Sequence, residues 1–111
     1  MNEPDVVFLD AYKRFENLCG DLFACPHGVS EYIRQMEQTP PRKSARIGGW
    51  DADCRALKHL RRLRNRIVHD PDAAGCTDED ILQLMSFHER ILNGTDPLAE
   101  LAALERQTPP R

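Results

Sequence analysis

The sequence predicts an all-α fold, an antiparallel four-helix bundle with a short extra C-terminal helix. Apolar residues recur at spacings of three and four in successive segments, which is the period of amphipathic helices. Short connections rich in Pro, Gly and capping residues separate these segments, which favours antiparallel packing of neighbouring helices. No segment shows the alternation of apolar and polar residues that marks a half-buried strand. The sequence therefore gives no reason to expect a sheet.

Length and composition predict a single domain over residues 1–111, with residues 105–111 as a frayed tail. The chain has no run of about 18 apolar residues and no charged-then-apolar leader, so we expect a cytoplasmic protein that does not enter a membrane. Its four cysteines lack C-x-x-C spacing and are expected to be reduced. Cys25-Pro-His27 is a metal-like fragment, but nothing near it completes a four-ligand site. We expect no metal and no cofactor.

The first third of the chain predicts two helices. Pro4 suits the first turn of a helix from about 4 to 24. The apolar stripe of this helix comprises Phe8, Ala11, Tyr12, Phe15, Leu18, Cys19, Leu22 and Phe23. Its acids lie mainly off the stripe and are expected to face solvent: Asp5, Asp10, Glu16 and Asp21. A second helix from about 29 to 38 carries on one face Val29, Tyr32, Ile33 and Met36.

Residues 39–50 hold two prolines, two glycines and three positive charges, which predicts a loop. This loop is either a plain connection or a basic segment that folds over a phosphate. A long helix should then span 51–69, capped by Asp51 or Asp53. Its apolar stripe contains Ala56 or Leu57, then Leu60, Leu63, Ile67 and Val68. Because Asp70 precedes Pro71, this helix is expected to end close to His69.

The last third predicts another long helix and a short one. Thr77 and Asp80 form a capping box, and Asn93-Gly94 is a left-handed stop. The expected buried stripe between them is Ile81, Leu84, Met85, His88, Ile91 and Leu92. A histidine on such a stripe is more typical of a core or an interface than of a catalyst. A final helix starts at Asp96-Pro97 and carries Leu98, Leu101, Ala102 and Leu104.

Charge is unevenly distributed along the chain, although the net charge is only −3. Residues 51–69 carry six Lys and Arg against two Asp, whereas residues 70–111 carry three basic against nine acidic residues. A basic helix in an acidic chain indicates a local anion site rather than a general nucleic-acid coat. The alternative is a solvated helix face. Sequence-specific DNA binding is less favoured, because no helix-turn-helix pair is apparent.

The end of the basic helix carries a motif, Arg64-Asn65-Arg-Ile-Val-His69. An Arg followed five residues later by His is expected by chance about 0.4 times in a chain of this composition. The additional Asn directly after the Arg lowers that expectation to about 0.02. Arg62 stands seven residues before His69 and is a competing motif arginine, while Arg61 and Arg66 are candidate phosphate contacts.

This motif resembles the R-x4-6-H motif of the HEPN superfamily. The resemblance implies a helical bundle of about this length and metal-independent endoribonuclease activity, with Arg64, Asn65 and His69 as catalytic residues. It also implies a homodimer, and for the toxin members an antitoxin partner, nucleotidyltransferase-like or other. In the subfamily silenced by adenylylation, a tyrosine occupies the position of Pro71, so that mode of control is not expected here.

The chemistry of RNA transesterification suits these residue types. Attack by the RNA 2′-hydroxyl needs a proton shuttle, which His69 can provide, and a cation at the phosphorane, which Arg64 can provide. Asn65 lies one helical turn before His69 and can orient its ring. Arg64, however, lies about 140° around the helix from His69, so two chains are expected to share the site. The competing hypothesis is a non-catalytic dimerising scaffold or a nucleotide- or anion-binding module.

Overall fold

The computed structural model describes residues 2–70, 72 and 75–107, and it is all-helical over these residues, with no strand among them. The all-α prediction is therefore confirmed. The helices are α1 (Glu3–Phe23), α2 (Gly28–Gln38), α3 (Pro41–Ser44), α4 (Trp50–His69), α5 (Asp78–Asn93) and α6 (Pro97–Gln107). The predicted 39–50 loop thus contains one helical turn, α3. Residues 105–107 of the predicted tail belong to α6, whereas residues 108–111 and Pro71 lie outside the described part of the chain.

The helix ends follow from local capping chemistry. The Asn2 side chain accepts a hydrogen bond of 2.9 Å from the Asp5 amide at the start of α1. Thr77 and Asp80 form the predicted capping box, with bonds of 3.2 and 2.9 Å. Gly94 ends α5 in the left-handed region at φ 71°. The predicted N-cap of α4 is wrong. Gly49 occupies the cap position, and neither Asp51 nor Asp53 caps the helix.

The core forms where the apolar stripes of α1, α2, α4 and α5 meet. Its largest fully buried side chains are Phe8 and Phe15 of α1, Tyr32, Ile33 and Met36 of α2, Leu57 and Leu60 of α4, and Leu84 of α5. Full burial of an aliphatic or aromatic side chain of this size contributes about 1.5–3 kcal/mol. Packing of these stripes, rather than helix propensity alone, therefore fixes the faces that α4 turns inward and outward.

Helices α1 and α2 approach each other closely at two glycines. A Cβ atom added to Gly28 would lie 2.0 Å from the Gly20 nitrogen, so only glycine fits at this contact. A Glu16 carboxylate oxygen accepts a 3.0 Å hydrogen bond from the Val29 amide and so satisfies a donor in the first turn of α2. The expectation that Glu16 merely faces solvent is therefore wrong.

The helix directions differ from a strictly antiparallel order. Arg64 of α4 lies beside Tyr12 of α1, and Val68 shares a groove with Leu9, so these two helices run in opposite directions. Near the start of α1, Asp5 accepts a hydrogen bond from Cys76, which lies just before α5. Later in both helices, the ring centroids of Phe15 and His88 are 6.2 Å apart. Helices α1 and α5 therefore run in the same direction. The reason is that α2 also runs opposite to α4, with Ser30 beside Arg61 and Glu37 beside Lys58, so α2 continues in the direction of α1 and does not return along it.

A buried carboxylate fastens the start of α5 to the start of α1. Asp5 is only 2% exposed, and its Oδ1 accepts a hydrogen bond of 2.9 Å from the Cys76 amide. A Cβ atom on Gly75 would lie 2.2 Å from that oxygen, so the chain passes directly over the carboxylate. The prediction that Asp5 faces solvent is wrong, because the amide of a distant residue satisfies the buried charge.

The buried face of α5 is rotated from the predicted stripe. Leu84 and Phe87 are buried, whereas Met85 is 55% and Leu92 is 65% exposed. The reason is that α5 turns Phe87 toward the core and Arg90 toward α4, where the Asp53 carboxylate accepts two hydrogen bonds of 3.1 and 3.0 Å. Met85 and Leu92 are left on the outer side.

No helix in the described part of the chain has the length and apolar character needed to cross a membrane.

Candidate functional site

The candidate site is the C-terminal half of α4, which carries every predicted site residue. Leu60, Leu63 and Ile67 of this half are buried and fix the rotation of the helix. With 3.6 residues per turn, these anchors divide the polar residues between a flank against α1 and α2 and a face that points outward. The sequence pattern thus decides which cations can meet a ligand from solvent.

Arg64 belongs to the flank against α1. Its guanidinium carbon lies 5.9 Å from the centroid of the Tyr12 ring, and its Nη1 donates a 2.9 Å hydrogen bond to Asn65 Oδ1. Burial raises the pKa of the Tyr12 hydroxyl well above its usual range, an effect that the Glu16 charge increases and Arg64 opposes. Tyr12 therefore serves Arg64 as a neutral aromatic platform.

His69 occupies the last position of α4 and is exposed. Its ring makes no hydrogen bond or ion pair with any of the residues that the structure describes. The following residue, Asp70, donates its amide to the Arg66 carbonyl at 2.8 Å and so closes the helix. The ring thus stands at a helix end, open to solvent and to any ligand that approaches the outer face.

Four of the predicted residues share the outer face of α4: Arg62, Asn65, Arg66 and His69. Helical geometry places all four within about 100° of one another, and Arg62 lies within about 20° of His69. Arg64 is separated from His69 by about 140° on the same helix. One chain therefore aligns Arg62 with His69, whereas it does not bring Arg64 and His69 together.

Ion pairing also differs between the two halves of α4. In the N-terminal half, Lys58 Nζ lies 2.6 Å from Glu37 Oε2, and His59 Nε2 lies 2.9 Å from Asp80 Oδ1. In the C-terminal half, Arg61 donates to the Ser30 hydroxyl at 3.1 Å. Among the described residues, no carboxylate lies within 4.0 Å of the four arginines Arg61, Arg62, Arg64 and Arg66. None of these four arginines therefore forms an ion pair within the described part of the chain.

A groove of about 320 Å³ runs between α1 and α4 beside the motif. Leu9, Tyr12 and Val68 form its apolar wall, and Lys13 and Arg64 bring two positive charges to it. Glu16 also lines the groove, and Tyr12 is only 3% exposed beneath Arg64, so the groove offers no free aromatic face on which a base could stack. Within the described ranges, no group of three or more His, Cys, Asp or Glu residues is placed to hold a metal ion, and the Cys25-Pro-His27 fragment is not part of one.

Sequence reasoning missed two partners of the motif. The periodicity of α1 places Tyr12 on its core stripe, and nothing in the local sequence indicates that Arg64 lies over its ring. Ser30 likewise gives no local signal of its bond to Arg61, because the two residues are 31 positions apart. Both contacts arise from packing between helices, which the periodicity of one helix does not encode.

Comparison with known proteins places the chain in a family whose function is unknown. Residues 6–109 match the model of a family described as "Family of unknown function (DUF6548)". No curated protein and no solved structure matches the chain.

Proposed function

The chain belongs to the DUF6548 family, and we propose that it is a metal-independent endoribonuclease with a HEPN-like four-helix bundle fold. The observation that carries this proposal is the outer face of α4, where the exposed His69 shares one side with Asn65 and two arginines that have no carboxylate partner among the described residues. A proton-transfer group beside uncompensated cations is the combination that cleavage of an RNA phosphodiester requires.

In the proposed reaction, the 2′-hydroxyl of the RNA attacks the adjacent phosphorus and displaces the 5′-oxygen of the next nucleotide. His69 transfers a proton during this exchange, and arginine stabilises the negative charge of the phosphorane. Asn65 orients the ring or binds a phosphate oxygen. The products are a 2′,3′-cyclic phosphate and a free 5′-hydroxyl, so the protein supplies no nucleophile.

The identity of the catalytic arginine has two solutions. If one chain suffices, Arg62 is the cation beside His69, because the two share the outer face. If Arg64 is the catalytic arginine, it acts with His69 of the partner subunit in a homodimer. Arg61 and Arg66 extend the contact along the RNA backbone in either case.

The proposed setting is a toxin–antitoxin or defence system in the cytoplasm. RNA is the substrate, and an antitoxin protein, nucleotidyltransferase-like or other, is the proposed inhibitor. An acidic inhibitor surface would neutralise the outer face of α4 and exclude RNA from it.

Two contacts favour a second function. Arg64 is held over Tyr12 and Arg61 is bonded to Ser30, so these two cations also connect helices. That arrangement suits a non-catalytic dimerising scaffold, or a module that binds a nucleotide or another anion on α4 without cleaving it.

The deciding experiment is cleavage of a mixed RNA pool, with analysis of the ends for 2′,3′-cyclic phosphate. His69→Ala should fold normally and lose cleavage, because the His69 side chain is exposed and forms no hydrogen bond or ion pair with a described residue. His27→Ala removes another exposed histidine, outside α4, and should cleave as the unchanged protein does. If the unchanged protein binds RNA and leaves it intact, the endoribonuclease proposal is wrong and the non-catalytic anion-binding module is favoured.

A further inference from the structure

The outer face of α4 continues toward the start of the helix as one row of basic side chains. This row, the α4 stripe, consists of Arg55, His59, Arg62, Arg66 and His69, and all five residues are exposed. Their spacing alternates between four and three residues, so they lie within about 80° of one another around the helix axis. The stripe is about 21 Å long at a rise of about 1.5 Å per residue. The residues assigned to RNA cleavage occupy only its C-terminal half.

The three arginines of the α4 stripe form no ion pair within the described part of the chain. Arg55, like Arg62 and Arg66, has no carboxylate oxygen within 4.0 Å among the described residues. At the position between them, His59 Nε2 lies 2.9 Å from Asp80 Oδ1. The stripe therefore presents two unpaired arginines next to the catalytic end of α4 and a third about 10 Å farther along the helix.

Acidic residues border the α4 stripe. Asp51 lies one turn before its first residue, and Asp70 directly follows its last. The first turn of α5 lies against His59 and carries the exposed Asp78 and Glu79. These carboxylates repel phosphates, so they confine a bound polyanion to the row of basic side chains.

The dimensions of the α4 stripe suit one backbone rather than two. A double-stranded RNA-binding domain contacts its ligand over about 16 base pairs, across two minor grooves. The stripe is only one side chain wide, and its length corresponds to about six nucleotides at the 3.4 Å spacing of a stacked strand. An extended strand covers the same distance with fewer nucleotides. A single strand can therefore follow the whole row.

We propose that the α4 stripe binds a single RNA strand along its whole length, with the phosphate to be cleaved at His69 and the strand continuing to Arg55. The position of the cleaved phosphate rests on the proposed endoribonuclease function, whereas the contact with Arg55 does not. The substrate class is an unpaired RNA segment of several nucleotides on one side of the cleaved bond. The stripe has no Phe, Tyr or Trp on which a base could stack, so binding depends on phosphate charge and differs little between bases.

The first test measures the binding of 2′-O-methyl oligouridylates of two lengths, a trinucleotide and a decanucleotide, by fluorescence anisotropy. These strands have no free 2′-hydroxyl within the chain, so binding is measured without cleavage. Arg55→Ala should weaken decanucleotide binding about two- to fivefold, the effect of losing one exposed ion pair. It should also make the slope of log affinity against log salt concentration shallower by about one. Trinucleotide binding should be unchanged, because Arg62 and Arg66 alone can hold so short a strand.

Two variants with the same loss of charge serve as references. Arg66→Ala should weaken the binding of both lengths, because it lies next to His69. Arg14→Ala should bind both as the unchanged protein does, since Arg14 is paired with Asp10 on α1 and faces the groove toward α5. All three variants should keep the helical circular dichroism signal, because each replaces an exposed side chain.

The second test compares the decanucleotide alone with the same strand paired to an oligoadenylate of equal length, and the duplex should bind more weakly. Tighter binding of the duplex would overturn the proposal. So would equal binding of the decanucleotide by Arg55→Ala and the unchanged protein, which would leave the start of the α4 stripe to an acidic protein surface. If the binding results are as expected but no RNA is cleaved, the endoribonuclease function fails and the single-strand site stands. If RNA is cleaved but Arg55→Ala has no effect on binding, the reverse holds.

Discussion

The guanidinium carbon of Arg64 lies 5.9 Å from the centroid of the Tyr12 ring, although Tyr12 is only 3% exposed. This contact joins the motif helix to α1 and gives Arg64 a structural role alongside any catalytic one. Arg62, two residues earlier on the outer face, has neither an aromatic nor a carboxylate partner among the described residues. The two candidate motif arginines can therefore be separated by stability and by activity.

Arg64→Ala should lower the free energy of unfolding by about 0.5–1 kcal/mol, which is the usual contribution of a cation over an aromatic ring near the surface. Arg62→Ala should change stability by less than about 0.5 kcal/mol, as exposed substitutions do. Urea denaturation measures both values. Cleavage by the same two proteins then identifies the catalytic arginine: loss with Arg62→Ala alone would point to a site within one chain. Loss with Arg64→Ala alone would point to a shared site.

Asp5→Ala should destabilise the protein strongly, because it leaves the Cys76 amide without an acceptor and empties a buried position. An unsatisfied buried donor costs about 1–3 kcal/mol. In a domain of this size that should lower the melting temperature by several degrees. The matched control is Asp10→Ala, which removes an exposed carboxylate from the same helix. Equal melting temperatures for the two variants would mean that the Asp5 contact contributes nothing.

These cases show what local pattern encodes and what it does not. The periodicity predicts the bounds of α1, α2 and α4 to within one residue, because it is a property of nearby residues, although the predicted N-cap of α4 is wrong. Asp5 stands three residues before the buried Phe8, so its face could have been recognised. A lone carboxylate is nevertheless expected outside, and its acceptor role depends on an amide 71 residues away. Phe87 was likewise missed, since the face that α5 buries depends on the position of α1.

The sequence predicts which residues of α4 belong to the candidate site, but it predicts only part of their arrangement in space. The 3.6-residue period already placed Arg64 and His69 on different sides of α4. It could not show that the Arg64 side meets Tyr12 or that the His69 side is open, because both depend on how α4 packs. The periodicity therefore predicted the residues on α4, and the fold determined which of them face solvent together.

Stability should fall in acid partly through Asp80. Partial burial acts to raise the pKa of Asp80, but hydrogen bonds from Thr77 and His59 outweigh it, so the pKa lies below its usual value. A carboxylate with a lowered folded pKa stabilises the fold above its unfolded pKa of about 3.9 and loses this contribution as the pH falls through the folded value. Asp80→Asn lacks the charge at every pH. The contribution of the ionised carboxylate to the difference in unfolding free energy between the two proteins should begin to fall near the unfolded pKa of about 3.9 and should be lost below the lower folded pKa.

Thermal melting from pH 2 to pH 7 measures this difference. The control is Asp78→Asn, which removes a carboxylate from the same first turn without removing the capping box. Both variants lose a charge that favours the helix dipole, so only the hydrogen bonds of Asp80 separate them. If the melting temperature of Asp80→Asn ran parallel to that of the unchanged protein from pH 2 to pH 7, the hydrogen bonds of Asp80 would not be coupled to proton binding.

Cleavage should persist in excess EDTA, because the proposed reaction transfers its proton through His69 and places its positive charge through arginine. The rate should instead fall steeply with salt, since the RNA backbone binds through arginines and releases counterions. Arg66→Ala should make the slope of log rate against log salt concentration shallower by about one, because it removes one phosphate contact from the outer face. Initial cleavage rates at several potassium chloride concentrations, with and without chelator, give both quantities. Activity that disappears with EDTA and returns with magnesium or manganese would falsify the proposed role of His69, because the metal ion would then supply the charge and the activated oxygen.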